Sequence, residues 1–582
     1  MKKTTKEAGL HSDHRQKIGH ALVMAALTQK HLRSFLLILA FAGLGIACSK
    51  ANIEVKPQAA INCSSASVQF SATVGNQLNG VISLPYTSGN GAKYSAGTQI
   101  SSTGVKGLTA TLQAGILANG AGNLAYAISG VATEPGTASF PISFGTDGCT
   151  LSLKINDLPF VQYGAPFAGV PDPQDAIIYQ VNIRCFTSTR NFQSVISRLD
   201  SIKNIGVNVI YLLPFYPIGT LKGVNSPYCI KDYTGINSDF GNLSDLRALV
   251  DGAHSRGMAV LFDWVANHTS WDNSWITSHK DWYQLDGSGN IVSPSQGWLD
   301  VAQLNFTNYS MRSAMIRAMK YWVYNANCDG FRCDYADGPP ADFWKQAIDT
   351  MRSITSHRLL MLAEGSRSDH FGSGFNYTFG FRLYDQLKAI YSHTGTIAGG
   401  IDNVLTTEYA SANELNRVVH YITNHDVNSQ GSPLDWFGGK TGSTTAFVLA
   451  AYIKGVPMIY NGQEVGTPTP LYFMSTNSLI DWSLNPGMVT EYKKIIALYN
   501  RSTAIRRGIF TSYNSTDVCA FTRVYGNETI FVVCNLRNTT VNYTLPVSIT
   551  TSLWTDAFTG SSAQIASQIT LAPNTYLVFK KN

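Results

Sequence analysis

Charge is scarce in this sequence. Asp, Glu, Lys and Arg make up 14% of its 582 residues, and the formal net charge of +6 is confined to one end. Residues 1–50 hold eight basic and two acidic side chains, while the other 532 residues balance at 35 of each sign. A neutral body lacks the basic stripe that neutralises phosphates, so a nucleic-acid partner is excluded. The nine cysteines include no CxxC pair, which argues against zinc held by thiolates. No redox, nucleotide or phosphate-binding motif is present. The apolar run at residues 34–47 has 14 residues, short of the ~20 that span a bilayer as a helix.

What is present is rich in core-forming residues. At 44% apolar and 11% aromatic the chain can bury large cores, and its length suits about three or four domains. The basic N-terminus followed by the apolar run has the order of a secretory signal. That run ends in small residues directly before Cys48, which resembles a bacterial lipobox, although Gly45 stands where the motif has Leu, Val or Ile. Residues 1–47 are therefore expected to be removed as a signal peptide and Cys48 to be acylated. Such a chain is a membrane-anchored lipoprotein of the bacterial outer membrane or cell surface, with the periplasmic face also open. An ordinary secretory signal is the alternative, and Met24 is an alternative start. Setting Cys48 aside leaves an even eight cysteines. Cys63 and Cys149 bracket the first module and are placed to staple it. Cys519 and Cys534 are symmetric about Gly526-Asn527, so a two-residue hairpin there sets them opposite each other.

Residues 48–156 are rich in Gly, Ser, Thr and Ala and carry short alternating runs, the pattern of a β-sandwich. With no Trp, this module reads as an immunoglobulin-like spacer in preference to a carbohydrate-binding module. A Pro- and Gly-rich linker at 157–173 follows. Beyond it, apolar runs alternate with helical stretches, as in repeated βα units. Strands are expected at 176–182, 207–213, 259–264, 330–333, 359–363, 418–423 and 456–460. They suggest a (β/α)8 TIM barrel over residues 174–490, with a small insert after strand 3 at about 268–308. Helices are expected to stop near Tyr492, leaving residues 491–582 as a C-terminal antiparallel β-sandwich domain.

In such a barrel the active site forms at the C-terminal ends of the strands. Four runs end informatively: AVLFDWVANH, DGFRCD, LLMLAE and VVHYITNHD. They deliver Asp334, Glu364 and Asp426, with His268, His425 and Arg332, to one rim. This ordered set resembles the α-amylase family of glycoside hydrolases, family 13. The likeness runs from about residue 175 to the C-terminus and is supported by IIYQVNIRCF, GVNVIYLLPFYP, SPYCIKDYTGINSDFG and GVPMIYNGQE. The N-terminal sandwich lies outside it.

The resemblance implies roles residue by residue. Asp334 would be the nucleophile, Glu364 the general acid and then base, and Asp426 the third carboxylate, binding sugar hydroxyls. Arg332 would keep Asp334 ionised, and the carboxyl of Glu364 should be raised for its task as an acid. His268 and His425 would donate hydrogen bonds to the reacting sugar, and Tyr228 would stack on it, although Pro227 replaces the usual Gly. Asp263 reads as a structural residue of the barrel mouth. Asn267 matches a calcium ligand of the family, but Gly338 stands where the family has a ligand His and Gln303 where it has an Asp. No calcium is expected at that place, calcium elsewhere stays open, and no other cofactor is expected. Five of the ten Trp fall between Trp264 and Trp298, in the insert, where one or two could serve as sugar platforms; Trp436 is a further candidate. The resemblance implies a retaining hydrolase of α-1,4-glucosidic bonds in starch-like α-glucans, through a covalent glycosyl-aspartate intermediate. Cyclomaltodextrinase-like, neopullulanase-like or glucanotransferase action on malto-oligosaccharides is the alternative, and a non-catalytic glycan-binding surface protein a remoter one.

Overall fold

Eight short parallel strands close into a barrel: β1 (Ile178–Val181), β2 (Val209–Leu212), β3 (Ala259–Trp264), β4 (Gly330–Cys333), β5 (Leu360–Ala363), β6 (Tyr377–Phe379), β7 (Arg417–His420) and β8 (Val456–Tyr460). The computed structural model describes residues 55–393, 397 and 400–581. The expected signal segment and Cys48 lie outside the described residues. β1 pairs in parallel with both β2 and β8, which completes the ring. Every residue of β1, β2, β4 and β5 is buried. Both faces of a barrel strand are covered, by the axis on one side and helices on the other, so these runs show no polar alternation. The close approach of β4 to β5 depends on Gly330, at φ +141°, where a Cβ would lie 1.9 Å from the Leu360 carbonyl oxygen.

The sequence reading missed β6. It has three residues, too few to carry a periodic signal, and sits between a Gly-flanked turn and a helix. The expected end of the barrel region also falls too early, inside the helix Pro486–Arg501. That helix buries Met488, Tyr492, Ile495, Ile496 and Tyr499 on one stripe and is followed by a second, Thr503–Arg507, before the first C-terminal strand at Ile509–Ser512. The 3.6-residue spacing of its apolar positions outlasts the point at which helices were expected to stop.

The N-terminal module is two packed sheets. Gln77–Asn90 pairs with Asn119–Val131 in one, and Gly136–Phe144 with Asp147–Asn156 in the other. Their inward residues, among them Ile82, Leu84, Tyr126, Phe140, Leu151 and Leu153, form a separate core. Cys63 and Cys149 are joined by a disulfide. The stretch after this module lacks regular structure yet lies along the barrel helices. Arg317 Nε donates to Asp157 at 2.7 Å, Phe160 stacks on Tyr324 at 5.3 Å, and Phe167 stacks on His254 at 4.3 Å. The Tyr163 hydroxyl donates to Asp251 at 2.7 Å. The sandwich also touches the insert, where Lys106 Nζ donates to the Ser278 carbonyl at 3.1 Å.

In the C-terminal domain Cys519 and Cys534 are cross-strand partners around a two-residue turn, and both are free, buried thiols. Arg523 fixes this domain to the barrel by donating to the carbonyls of Ile453, Ala504 and Ile505.

Because Cys63 and Cys149 are 86 residues apart in sequence, their bond restricts most of the module's unfolded chain. Cys63→Ser is expected to destabilise the sandwich by about 2–5 kcal/mol. Calorimetric unfolding would show one transition lowered, to the position that reductant gives the native chain, with the barrel transition unmoved.

Candidate active site

Adjacent strands bring the polar residues to one mouth. Asp263 lies near the end of β3, Asp334 directly follows β4, Glu364 follows β5, and His425 and Asp426 open a helical turn after β7. Asn424 caps that turn, its side chain accepting from the amides of Asp426 at 2.9 Å and Val427 at 3.0 Å, which sets the direction of both functional residues.

Arg332 on β4 is fully buried beneath them. Its Nη1 donates to Asp263 Oδ1 at 2.7 Å and to Asp334 Oδ1 at 3.1 Å, and its Nη2 lies against Glu364 Oε1. One cation thus faces three carboxyl groups. Burial raises the Asp334 carboxyl well above the usual range; the Arg332 charge opposes that rise but is outweighed, and the charges of Glu364 and Asp263 add to it. Burial likewise pushes Asp263 up to about 6, against the pull of Arg332. Two expectations are corrected here. Arg332 is no substrate contact, since it lies under the pocket, and it moderates the charge of Asp334 without overcoming the cost of burial.

A hydrogen-bonded chain orders the other side. The Gln180 amide donates to His425 Nδ1 at 2.9 Å, so the proton sits on Nε2, which donates to the Tyr228 hydroxyl at 2.6 Å. That hydroxyl donates to Asp263 Oδ2 at 3.1 Å, and Tyr211 donates to the same oxygen at 2.6 Å. Burial lowers His268 to about 4 and His425 to about 3. Both are therefore neutral imidazoles near pH 7, able to hydrogen-bond without adding charge.

A cavity of about 410 Å³ is lined by Tyr228, His268, Asp334, Glu364, His425 and Asp426, with Trp298 and Tyr335 on one rim and Phe473 and Met474 on another. Six of the seven expected residues thus meet at one cavity, and Arg332 supports them from below. Trp298 faces Tyr335 at 5.0 Å and His268 at 5.6 Å between ring centres. Of the other four Trp in residues 264–298, Trp264 is a buried residue of β3 and Trp282 is buried in the insert, while Trp271 and Trp275 are half-buried. Trp436, a candidate platform, does not line this cavity and packs under Lys388 Nζ at 3.5 Å.

Sequence reasoning missed the contacts that set the spacing of Asp334 and Glu364. Tyr335 has φ +39°, rare for a residue with a Cβ, and in this conformation its amide donates to Glu364 Oε2 at 2.9 Å. Asp337 receives bonds from the Ser366 and Arg367 amides, both at 3.1 Å, and from His370 Nε2 at 2.6 Å. Although burial raises Asp337, those bonds prevail and hold it at about 2. It ties the loop after β4 to the loop after β5. No motif marks a backbone amide, and a lone Asp three residues past the nucleophile position carries no signal of its own.

The residues at the family's calcium position do not suit a hard cation. Asn267 and Gln303 exchange two amide hydrogen bonds, each 3.2 Å long. A Cβ at Gly338 would lie 2.3 Å from Asn267 Oδ1, which leaves no room for a ligand side chain there. Calcium asks for several oxygen donors, carboxylates among them; here neutral amides satisfy each other.

The carboxyl cluster has a pH signature. Ionised Asp334 is lost as pH falls through its raised value, so the acid limb of kcat/KM on an α-glucan is expected above the ordinary Asp range near 3.9. Asp263→Asn removes a neighbouring negative charge and frees Arg332 for Asp334. Both effects favour the carboxylate, and the acid limb is expected to move to lower pH in a pH–rate profile.

Known proteins share this architecture. The family described as "Alpha amylase, catalytic domain" matches residues 187–295 and 295–481, and "Maltogenic Amylase, C-terminal domain" matches residues 509–578. Alpha-amylase 2 of Dictyoglomus thermophilum is 23% identical over 371 residues, 60% of this chain and 64% of that protein. A cyclomaltodextrinase of Thermoanaerobacter pseudethanolicus is 25% identical over 374 residues, 59% of this chain and 63% of that protein. The chain thus spans less than two thirds of the length of these relatives. Among solved structures, the noncanonic maltogenic alpha-amylase AmyB from Thermotoga neapolitana superposes with a TM-score of 0.64 at 24% identity, covering 70% of this chain and 99% of that one. With the catalytic-domain match spanning half of its length and the eight-stranded barrel carrying it, the chain belongs to the α-amylase family of glycoside hydrolases.

Proposed function

We propose that this protein is a retaining glycoside hydrolase acting on α-1,4-glucosidic bonds of α-glucans. The observation that carries the reading is the pairing of Asp334 and Glu364 over one buried guanidinium, at a cavity walled by Tyr228 and two neutral histidines. In the first step the Asp334 carboxylate attacks the anomeric carbon while the bond to the leaving oxygen breaks, and Glu364 gives its proton to that oxygen. In the second, water attacks the same carbon and passes a proton to Glu364, and Asp334 departs as a carboxylate. Two inversions give net retention. Tyr228 offers its ring to the C–H face of the sugar, His268 and Asp426 reach its hydroxyls, and His425, its two nitrogens engaged by Gln180 and Tyr228, holds that tyrosine in place. Arg332 spreads charge among the carboxyl groups as one of them changes ionisation.

A neutral body fits a neutral polysaccharide, which offers hydroxyls and C–H faces. The cyclomaltodextrinase-like relatives support action on malto-oligosaccharides as a second reading of the same site. We further propose that the reaction needs no calcium at Asn267, because the Asn267–Gln303 amide pair supplies the local cross-link, and that acylated Cys48 anchors the protein at the cell surface. The latter rests on the sequence before and after Cys48. No helix among the described residues is long and apolar enough to cross a membrane.

Glu364→Gln is expected to lower kcat on maltoheptaose by about 10²–10⁴-fold, and Asp334→Asn at least as much, with unchanged circular dichroism. Activity of either variant near the native level would remove the assignment. Dialysis against EDTA is expected to leave turnover and thermal midpoint unchanged; a loss restored by calcium would contradict the amide-pair proposal. Mass spectrometry of the mature N-terminus should find a diacylglyceryl group on Cys48, and an unmodified thiol would refute the anchor.

A further inference from the structure

The cavity is crossed on one side by a tie between two loops distant in sequence. Asn225, in the loop after β2, donates from Nδ2 to the carbonyl of Met474, in the loop after β8, at 2.8 Å. Arg184, nearly buried in the turn that follows β1, clamps both loops from below. Its Nη1 donates to the Asn225 carbonyl at 2.8 Å and to the Phe473 carbonyl at 3.1 Å, and its Nη2 to Asn225 Oδ1 at 3.4 Å. Arg190 adds a bond to the Thr476 carbonyl at 2.6 Å. The β2 loop is held from its other flank as well. The Thr220 amide donates to Asp272 at 3.1 Å, and Lys222 Nζ sits 3.5 Å over the Trp271 ring of the insert. Tied to each other and anchored at both flanks, the two loops form a strap that is part of the cavity wall and not a free loop.

Its position relative to the reacting bond follows from the contacts. The strap residue Phe473 packs against Tyr228 at 5.8 Å and His425 at 5.1 Å between ring centres, so it borders the place of the sugar that Asp334 attacks. Glu364, which serves the leaving oxygen, is bonded to the Tyr335 amide on the rim shared with Trp298. In an α-1,4-glucan the preceding unit hangs from C4, across the ring from C1. A chain entering with C1 toward Glu364 therefore directs its preceding units at Phe473, Met474 and Val224, all of which line the cavity.

We propose that the strap closes the cavity beyond the sugar on Tyr228. The enzyme then takes glucan chains by their non-reducing ends, or short oligosaccharides, and releases short products without cutting in the interior of a polymer. This rests on the glycoside-hydrolase reading of the site and narrows its substrate to chain ends. The leaving part of the chain runs out past Trp298 and Tyr335. The cavity, at about 410 Å³, is at the small end of ligand sites, which suits a terminal segment. Asn225 is the specificity-determining residue, and Arg184 its support.

The experiment compares two 4-nitrophenyl maltoheptaosides on the native protein, one with a free non-reducing end and one blocked there by a 4,6-ethylidene group. The blocked compound is expected to react with kcat/KM at least about 100-fold lower. In parallel, soluble amylose should gain reducing ends with little early loss of viscosity. Asn225→Gly cuts the tie without backbone strain, since Asn225 already has φ +61°. It should keep turnover of the free-ended compound and raise that of the blocked one. Equal rates on both compounds by the native protein would overturn the inference and leave the hydrolase reading intact, whereas no turnover of either would overturn both. Continued refusal of the blocked compound by both Asn225→Gly and Arg184→Ala would remove the strap as the cause.

Discussion

A single buried guanidinium decides where the carboxyl groups of this molecule stand. Arg332 reaches groups supplied by β3, β4 and β5, three neighbours in the barrel, so the register of those strands and the spacing of the acids are one constraint. Its planar fork has donors for several oxygens at once, which the point charge of a lysine lacks. The price is a site that carries more acid than base. Much of the remaining structure relieves this crowding: Tyr211 and Tyr228 donate to Asp263, the Tyr335 amide donates to Glu364, and both histidines stay neutral.

The barrel and the convergence of the candidate residues on one rim were largely legible in the sequence, because a strand buried on both faces is a block of apolar letters with a polar residue at or just past its end. LLMLAE announces itself in this way. β6 does not, since three residues between turns show no period. The helix over Pro486–Arg501 extends past the expected boundary because its apolar stripe, Met488, Tyr492, Ile495, Ile496 and Tyr499, continues on either side of Lys493 and Lys494. Asp334, Glu364 and Asp426 are legible as side chains of particular type and order. Tyr335 acts through its amide and Phe473 through packing, neither of which has a letter, and Asn225 acts through a side-chain tie to a loop 249 residues away, which no local pattern marks. The burial of Arg332 was also invisible, since RxD on a strand does not say which of its residues lies under the floor.

The Asn267–Gln303 pair shows how two neutral amides can hold a junction between barrel and insert. The pair joins the end of β3 to the returning strand of the insert, and Gly338 provides the clearance. Amide hydrogen bonds are weaker than ligation by a divalent ion, but they need no deprotonation and no ion in the medium. The insert is also pinned at Asp272 and Trp271, so its attachment does not rest on this point alone.

The stretch that joins the sandwich to the barrel, read from its Pro and Gly as a linker, is laid along the barrel helices by Asp157, Phe160, Tyr163 and Phe167. It behaves as a splint. Contacts along its length oppose a swing of the sandwich about it, which ties the direction in which the cleft opens to the direction of the sandwich. Any surface that grips the N-terminal module would thereby aim the barrel mouth, and lengthening the stretch at a point that loosens Phe160 or Phe167 would exchange a fixed bearing for a wide cone of orientations.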